Sequence, residues 1–418
     1  MRRRLPPVLR IRGFAYLWLA LVVIGLANQM VVVAVGWQVY DIHHDPLDLG
    51  LIGLAEFAPL PLLALPAGHL ADRTPRKLVF AASIVVSAVV TALLLVVTLA
   101  GARSLWPFLA LAAATGVGSA IGNPAARALP PELVPSEILA SAMALRSTGI
   151  QGAVIAGPAV GGLLFALRPE LVYAAAVALF GVGLAATLAL PRRAPLVDAT
   201  AVRPLPGLTG VLDGIRFIRR TPVLLGAIAL DLFAVLFGGA VALLPLFARD
   251  VLHVGPVGLG VLRSSPAVGA VAAGVLLTHR PLRGNVGRTL LVVVAGFGAS
   301  MAVFGLSRSF LLSLVALAAS GFTDLVSMNI RSTTAALATP DALRGRVNAV
   351  EMVFISASNE LGAFESGAAA ALVGAVPAVV AGGIATVAIA VVWLRLFPPL
   401  ARLDRFEDLL PPAPAAAA

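Results

Sequence analysis

The sequence predicts an all-α integral membrane protein with about twelve transmembrane helices in two pseudo-symmetric six-helix bundles. Three observations predict it: the scarcity of charge, the recurrence of long apolar runs, and local matches repeated at one offset. Of the 418 residues, 60% are apolar and 12% charged, and the mean hydropathy is +0.99. A water-soluble chain of this length has too much surface to cover with so few charges. A helix crosses the hydrocarbon core with about 20 apolar residues, and such runs recur along the whole chain.

The N-terminus carries Arg2, Arg3, Arg4, Arg10 and Arg12 ahead of an apolar run that reaches Tyr40. That run exceeds the apolar region of a signal peptide, and more spans follow it, so it reads as a retained first helix. The first six spans fall near 14–39, 49–71, 78–100, 105–128, 138–167 and 171–190. A polar segment from Pro191 to Thr221 interrupts the pattern. The second six spans fall near 222–247, 257–279, 286–306, 310–336, 346–373 and 376–397. The expected organisation is a bundle over 1–190, a cytoplasmic linker over 191–221, a second bundle over 222–398 and a cytoplasmic tail over 399–418. Within the linker, VLDGIRFIRR spaces its apolar residues helically beside Arg216, Arg219 and Arg220, as in a short helix lying on an anionic inner leaflet. The terminal PPAPAAAA is low in complexity and has nothing to bury.

Basic residues give the orientation. With the N-terminus inside, 23 arginines and lysines fall on cytoplasmic segments, and only Arg103, Arg168, Arg249 and Arg308 fall on the opposite side. The positive-inside rule requires that bias. It places both termini in the cytoplasm of a multi-pass cell-membrane protein and makes the helix count even. The net charge of +10 is therefore topology, and no nucleic-acid partner is expected. The expected partners are the lipid bilayer and a small-molecule substrate, with the chain working as a monomer. Cysteine is absent, which excludes disulfides, thiolate metal sites and cysteine nucleophiles. His43 and His44 form the one adjacent pair and read as a solvated turn, so neither a metal nor a cofactor is expected.

Two local matches support duplication. GHLADRTPRK (68–77) follows the second span and GVLLTHRPLR (274–283) the eighth, about 206 residues on. PSEILASAMA (135–144) opens the fifth span and PDALRGRVNA (340–349) the eleventh, about 205 residues on. Paired halves are a recurrent transporter architecture.

GHLADRTPRK resembles the signature between helices 2 and 3 of the major facilitator superfamily. The match runs through Gly68, Leu70, Ala71, Asp72, Arg73, Arg76 and Lys77 and departs at Pro75, where that family usually has glycine. The resemblance implies the major facilitator fold and a gating role for this loop. In the fifth span, GPAVGG resembles an element of the superfamily's proton-coupled exporters, through Gly157, Pro158, Gly161 and Gly162. Pro158 removes one backbone donor and bends the helix, while the glycines admit a neighbouring backbone. Many proton-coupled relatives bear an arginine four residues before a glycine of helix 4. Here Gly116 is present, but Ala112 stands at the arginine position. The segment 359–384, with the PDALRGRVNA start of helix 11, is similar to the enterobactin-exporter-like branch of efflux permeases.

Ionisable groups inside spans are costly and usually face a cavity. The candidates are Glu56, Arg146, Asp231, Arg263, Asp324, Arg331, Glu351, Glu360 and Glu365. A carboxylate held away from water favours its neutral form and can load and release a proton. Asp231, about ten residues into its span, is the first candidate for that role, followed by Glu56 and Glu360. Arg331 and Glu351 lie nearer the cytoplasmic end, as an inter-helix ion pair would. Arg146 is placed to meet a carboxylate or an anionic substrate. Asn28, Gln29 and Gln38 of the first span either line the cavity or bridge helices.

These readings converge on a secondary exporter of small amphipathic compounds (drug, siderophore or metabolite), driven by the proton gradient through alternating access. No GxxxxGK[ST] occurs, which argues against ATP drive. The alternatives are an importer or facilitator of the same fold, and a membrane-embedded enzyme, for which no HExxH or catalytic dyad is present.

Overall fold

The computed structural model describes residues 7–63, 74–191, 208–282 and 284–409, and no strand occurs among them. Gly68, Leu70, Ala71, Asp72 and Arg73 of the loop signature lie outside the described residues, as do most of the linker, Arg283 and the PPAPAAAA tail. The chain forms α1 (Arg12–His43), α2 (Pro46–Leu63), α3 (Arg76–Leu99), α4 (Trp106–Leu133), α5 (Ser136–Leu167) and α6 (Pro169–Leu188). It continues with α7 (Pro222–Val251), α8 (Gly255–His279), α9 (Val286–Leu306) and α10 (Phe310–Ala338). Then come α11 (Asp341–Val373) and α12 (Ala375–Leu396). Among the described residues, eleven helices are long and apolar enough to cross a membrane. The remaining one, α11, has the length, at 33 residues. It is set apart by Glu351, Glu360 and Glu365 within its run.

Local chemistry sets the boundaries. Asp45 caps α2 by accepting from the Leu47 amide at 2.9 Å, and Pro46 occupies the first turn, where its missing N–H goes unneeded. α6 and α7 also begin on proline, at Pro169 and Pro222. Gly374, at φ +90°, makes the sharp break between α11 and α12. α7 is not uniform: after Gly238 it loosens into a 3-10 turn at Ala240–Leu243, and it ends in a π-turn at Phe247–Val251. Such turns weaken the regular ladder and accumulate at functional positions.

Helix pairing repeats between the two halves. In the first, α1 packs on α5 and α6, and α3 on α4 and α6. In the second, α7 packs on α11 and α12, and α9 on α10 and α12. α2 meets α4 at Gly116, whose absent side chain would stand 2.0 Å from the Glu56 carbonyl oxygen. The equivalent pair α8 and α10 meets at Gly269 and Gly321, each against backbone of the other helix. Small residues at a crossing let helices approach where no hydrophobic effect drives them together.

By contacts the chain forms two compact units, one of residues 1–204 with 242–264 and one of residues 205–241 with 265–418. The first has cores around Phe14, Leu17, Phe80, Ile84 and Phe180, and around Met30, Phe108 and Tyr173. The second centres on Leu230, Leu290, Ile330 and Trp393, with the Trp393 indole donating to the Gly226 carbonyl at 2.9 Å. Leu163, Leu167, Val292, Leu311 and Val391 stand exposed on outer helix faces, as suits helices solvated by lipid.

The linker segment does form a helix, Leu208–Arg220. Part of its apolar side packs on protein, while Leu212 is exposed. Ile218 is buried with Leu224, Ile228, Val347 and Val350, and Ile215 and Phe217 pack against them. Asp213 bonds Arg346 at 3.1 Å, and Gly214 allows the backbone of Arg346 to come close. Arg216, Arg219 and Arg220 remain exposed. The physical reason is area: the start of α11 presents Val347 and Val350 as an apolar strip that needs a cover.

Candidate functional site

The second unit holds a buried charge cluster. Asp231 comes from the middle of α7 and Arg331 from α10, and their side chains pair at 2.5 Å. Both are nearly sealed, at 9% and 7% side-chain exposure. Arg331 also donates through Nε to Ser327 Oγ, one turn back, at 3.3 Å. Asp324 lies seven residues before Arg331, hence two turns away on the same face. It is surface-accessible and lines a narrow crevice with Asp231, Ala234, Val235, Val294, Phe297 and Ser327. Glu351 of α11 is near enough for the charges of Arg331 and Asp231 to act on it. Arg331 therefore pairs with Asp231, and the inter-helix pair expected between Arg331 and Glu351 is not formed. Both partners of the observed pair are almost dry, which is where a guanidinium needs its acceptor most.

With every acid ionised, this cluster sets three carboxylates against one guanidinium. An excess negative charge in a low-dielectric interior is costly. One proton taken up here is correspondingly well stabilised. Glu360 and Glu365 lie further along α11, about 13 and 21 Å beyond Glu351 at helical rise. Both are partly buried, and neither lines the crevice.

The remaining predicted residues lie in the first unit. Glu56 of α2 is half-buried, and the charge of Arg263 from α8 acts on it. Arg146 is half-buried on α5, its Nε enclosed without a hydrogen-bond partner. Gln38 is a bridge: its Oε1 accepts from Tyr173 at 2.8 Å and from Thr98 at 3.1 Å, tying α1 to α3 and α6. Asn28 is exposed and Gln29 half-buried one position on. Of the loop signature, Arg76 and Lys77 are described. Arg76 pairs with Glu132 of α4 at 2.7 Å, and Lys77 donates to the carbonyls of Leu188 and Leu190 at the end of α6. Those two cations fasten the start of α3 to two neighbouring helix ends.

The GPAVGG element packs closely against two neighbouring segments. Side chains at Gly157 and Gly161 would lie 2.5 Å from Gln29 Cβ and 2.8 Å from Met30 Cα on α1. One at Gly162 would lie 2.4 Å from the Pro256 carbonyl oxygen, and one at Gly260 2.3 Å from that of Pro158. α5 is thus wedged between α1 and the start of α8. Ser264 Oγ donates to the Ile155 carbonyl at 2.6 Å on the same seam.

The seam continues in residues that sequence reasoning did not single out as a site. Asp250 accepts from the Tyr40 hydroxyl, Arg249 pairs with Asp41, and the Arg249 guanidinium lies 5.9 Å from the Trp37 ring centre. Arg249 and Asp250 sit in the π-turn that ends α7. One signal was available: Arg249 is among the four basic residues on the sparsely charged side.

Residues 5–412 match the model of a major facilitator family described as transmembrane secretion effector. The chain is 29% identical over 241 residues to the enterobactin exporter EntS of Escherichia coli O1:K1 / APEC, covering 56% of each protein. EntS of Citrobacter koseri matches at 29% over 243 residues, again 56% of each. The match thus spans about half the length of the curated relatives. Among solved structures, the fold is similar to a bacterial homolog of the human lysosomal transporter Spinster, at TM-score 0.71 and 15% identity, covering 98% of this chain and 100% of that one. It is also similar to a bacterial homologue of the iron transporter ferroportin, at TM-score 0.70 and 17% identity, covering 95% and 100%.

Proposed function

Because the chain belongs to the major facilitator family of transmembrane secretion effectors, a family of multi-pass membrane transporters, we propose that it exports small amphipathic compounds in exchange for protons. The observation that carries this reading is the sealed Asp231–Arg331 pair with the accessible Asp324 two turns away. A proton entering by the crevice through Asp324 and passing to Asp231 cancels the charge that holds Arg331. Arg331 then turns to Asp324 or Glu351, and α7 and α10 lose the bond that joins them. Loading and unloading that proton therefore shifts a helix pairing, which is what a coupled carrier needs.

Alternating access follows if residues 1–190 and 222–398 move as two bundles. Residues 242–264 must then leave α1 and α5 in one state and return in the other, breaking and remaking the Tyr40–Asp250 and Asp41–Arg249 contacts. Outward direction is supported by the GPAVGG resemblance and by the exporters among the relatives. The charge bias supports a cytoplasmic location for both termini, and a reporter fused at Ala418 that proves external contradicts that orientation. The test begins with a compound screen in cells lacking and overproducing the protein. A hit should accumulate in everted membrane vesicles when a proton gradient, acid inside, is imposed. Accumulation that ignores the gradient removes the proton from the mechanism.

A further inference from the structure

The linker helix, Leu208–Arg220, seats one side on the second unit and presents the other outward. Gly214 and Ile218 are buried, and Ile215 and Phe217 pack against the group formed by Leu224, Ile228, Val347 and Val350. Leu212, Arg216, Arg219 and Arg220 are exposed. At the helical repeat those four fall within an arc of about 100°, opposite the seated side. The outer face is thus one leucine beside three arginines.

Its position decides what that face meets. Only Thr221 separates Arg220 from Pro222, the first residue of α7. Thr221 donates through Oγ1 to the Phe217 carbonyl at 3.1 Å, and its own carbonyl accepts from the Leu225 amide at 2.9 Å. The two helices are therefore joined without slack. α7 has 30 residues, about 45 Å at normal rise, which matches a bilayer with both headgroup layers included. Its first residue, and the linker helix packed against its first turns, lie at the level of the lipid phosphates.

The charges of the outer face are only partly answered by protein. Asp213 is the one acid between Leu208 and Arg220, and it is shared between Arg216 and Arg346 of α11, each at 3.1 Å. Among the described residues no carboxylate pairs with Arg219 or Arg220. A guanidinium fork matches two phosphate oxygens with parallel hydrogen bonds. A leucine among such arginines suits the boundary between headgroups and acyl chains.

We propose that this outer face binds anionic phospholipid headgroups, with Arg219 and Arg220 as the phosphate donors, Arg216 beside them and Leu212 reaching the acyl boundary. The linker helix is then held from two sides, by α7 and α11 on one and by the leaflet on the other. The assignment concerns lipid and is independent of what the chain carries.

The experiment uses the full chain in phosphatidylcholine nanodiscs, with a fluorophore on Leu212→Cys, the single thiol in a chain without native cysteine. The discs are doped with a nitroxide-bearing lipid, phosphatidylglycerol or phosphatidylcholine, labelled at the same acyl position. Quenching against nitroxide-lipid fraction reads the local affinity for each. Wild type should favour phosphatidylglycerol by at least about fivefold, the scale of one arginine at an anionic surface, and high salt should reduce the preference. Arg219→Gln with Arg220→Gln should bring the two lipids within about twofold, because Asp213 already offsets Arg216. Lysine at both positions should keep part of the preference. Arg280→Gln with Arg395→Gln removes two exposed arginines of the same unit and should leave it unchanged. Equal quenching by the two lipids in wild type, or quenching by neither, overturns the proposal. So does a preference that survives the Arg219 and Arg220 glutamine variant, or one that falls as far with Arg280→Gln and Arg395→Gln, which would make it a general surface charge. Val350, 3% exposed beside Gly214 of the linker helix, supplies the check on docking. A thiol placed there by Val350→Cys should stay as slow to react with a maleimide in the glutamine variant as without it. Faster reaction would assign the arginines to the seat on α11 and overturn the proposal as well.

Discussion

Gly162→Ala should loosen the seam between α5 and the start of α8. The added methyl would lie 2.4 Å from the Pro256 carbonyl oxygen and 3.2 Å from Gly260. All of these neighbours are backbone, so no rotamer change relieves the clash. The two helices must part by about 1 Å to restore ordinary contact, and overpacking of this kind costs about 1–3 kcal/mol. The docked state of 242–264 weakens by that amount, raising the undocked population about 5- to 150-fold. The absence of native cysteine makes this measurable. Ala248 is fully buried in the docked segment, so Ala248→Cys supplies a single concealed thiol. Its reaction with a maleimide should report transient opening, and Gly162→Ala should accelerate it by that factor. Gly152→Ala is the internal control, since nothing lies within 4 Å of its added methyl. Equal labelling rates in the two glycine variants would refute the argument that backbone approach at Gly162 holds the segment.

Three further outcomes follow from the same geometry. Arg331→Met should lower stability by about 3–5 kcal/mol, because it strands Asp231 in a dry site, whereas Asp231→Asn with Arg331→Gln should recover much of the loss; thermal unfolding in detergent compares them. Asp41→Ala should speed labelling at Ala248→Cys only modestly, since a partly exposed pair contributes about 0–1 kcal/mol. Reversing the pair, Asp41→Arg with Arg249→Asp, should bring the rate back. Gly116→Val should prevent α2 from seating on α4, where the Glu56 carbonyl allows no side chain, and membrane-inserted yield measures that loss.

Most of the architecture is legible because lipid imposes it. Helix lengths follow from apolar runs, so the expected span near 286–306 coincides with α9 and that near 138–167 differs from α5 by two residues. Helix 7 is the exception: expected to stop near 247, it runs to Val251, because the π-turn carries Arg249 and Asp250 onto Asp41 and Tyr40. Singling out Asp231 needed only the cost of an ionisable group in mid-span. Its partner did not follow from position: Arg331 and Glu351 looked alike in depth, and the choice of Asp231 over Glu351 depends on side-chain reach across three helices. Gln38 shows the same limit, since a polar residue on a span serves a cavity or a neighbour equally well until the neighbours are known. The linker helix shows a related limit. Amphipathicity reveals that an apolar face is covered, but whether lipid or Val347 and Val350 cover it is a tertiary fact.

Proton-coupled export through Asp231 is tested most directly by comparing two transport modes in everted vesicles, with wild type and Asp231→Asn side by side. The compound is one selected by the growth screen. Wild type should show both uptake driven by an imposed proton gradient and gradient-free exchange of labelled for unlabelled compound. Asp231→Asn should keep the exchange and lose the gradient-driven uptake, because the carrier still moves but no longer senses the proton. Gradient-driven uptake that persists at the wild-type rate in Asp231→Asn would contradict the account.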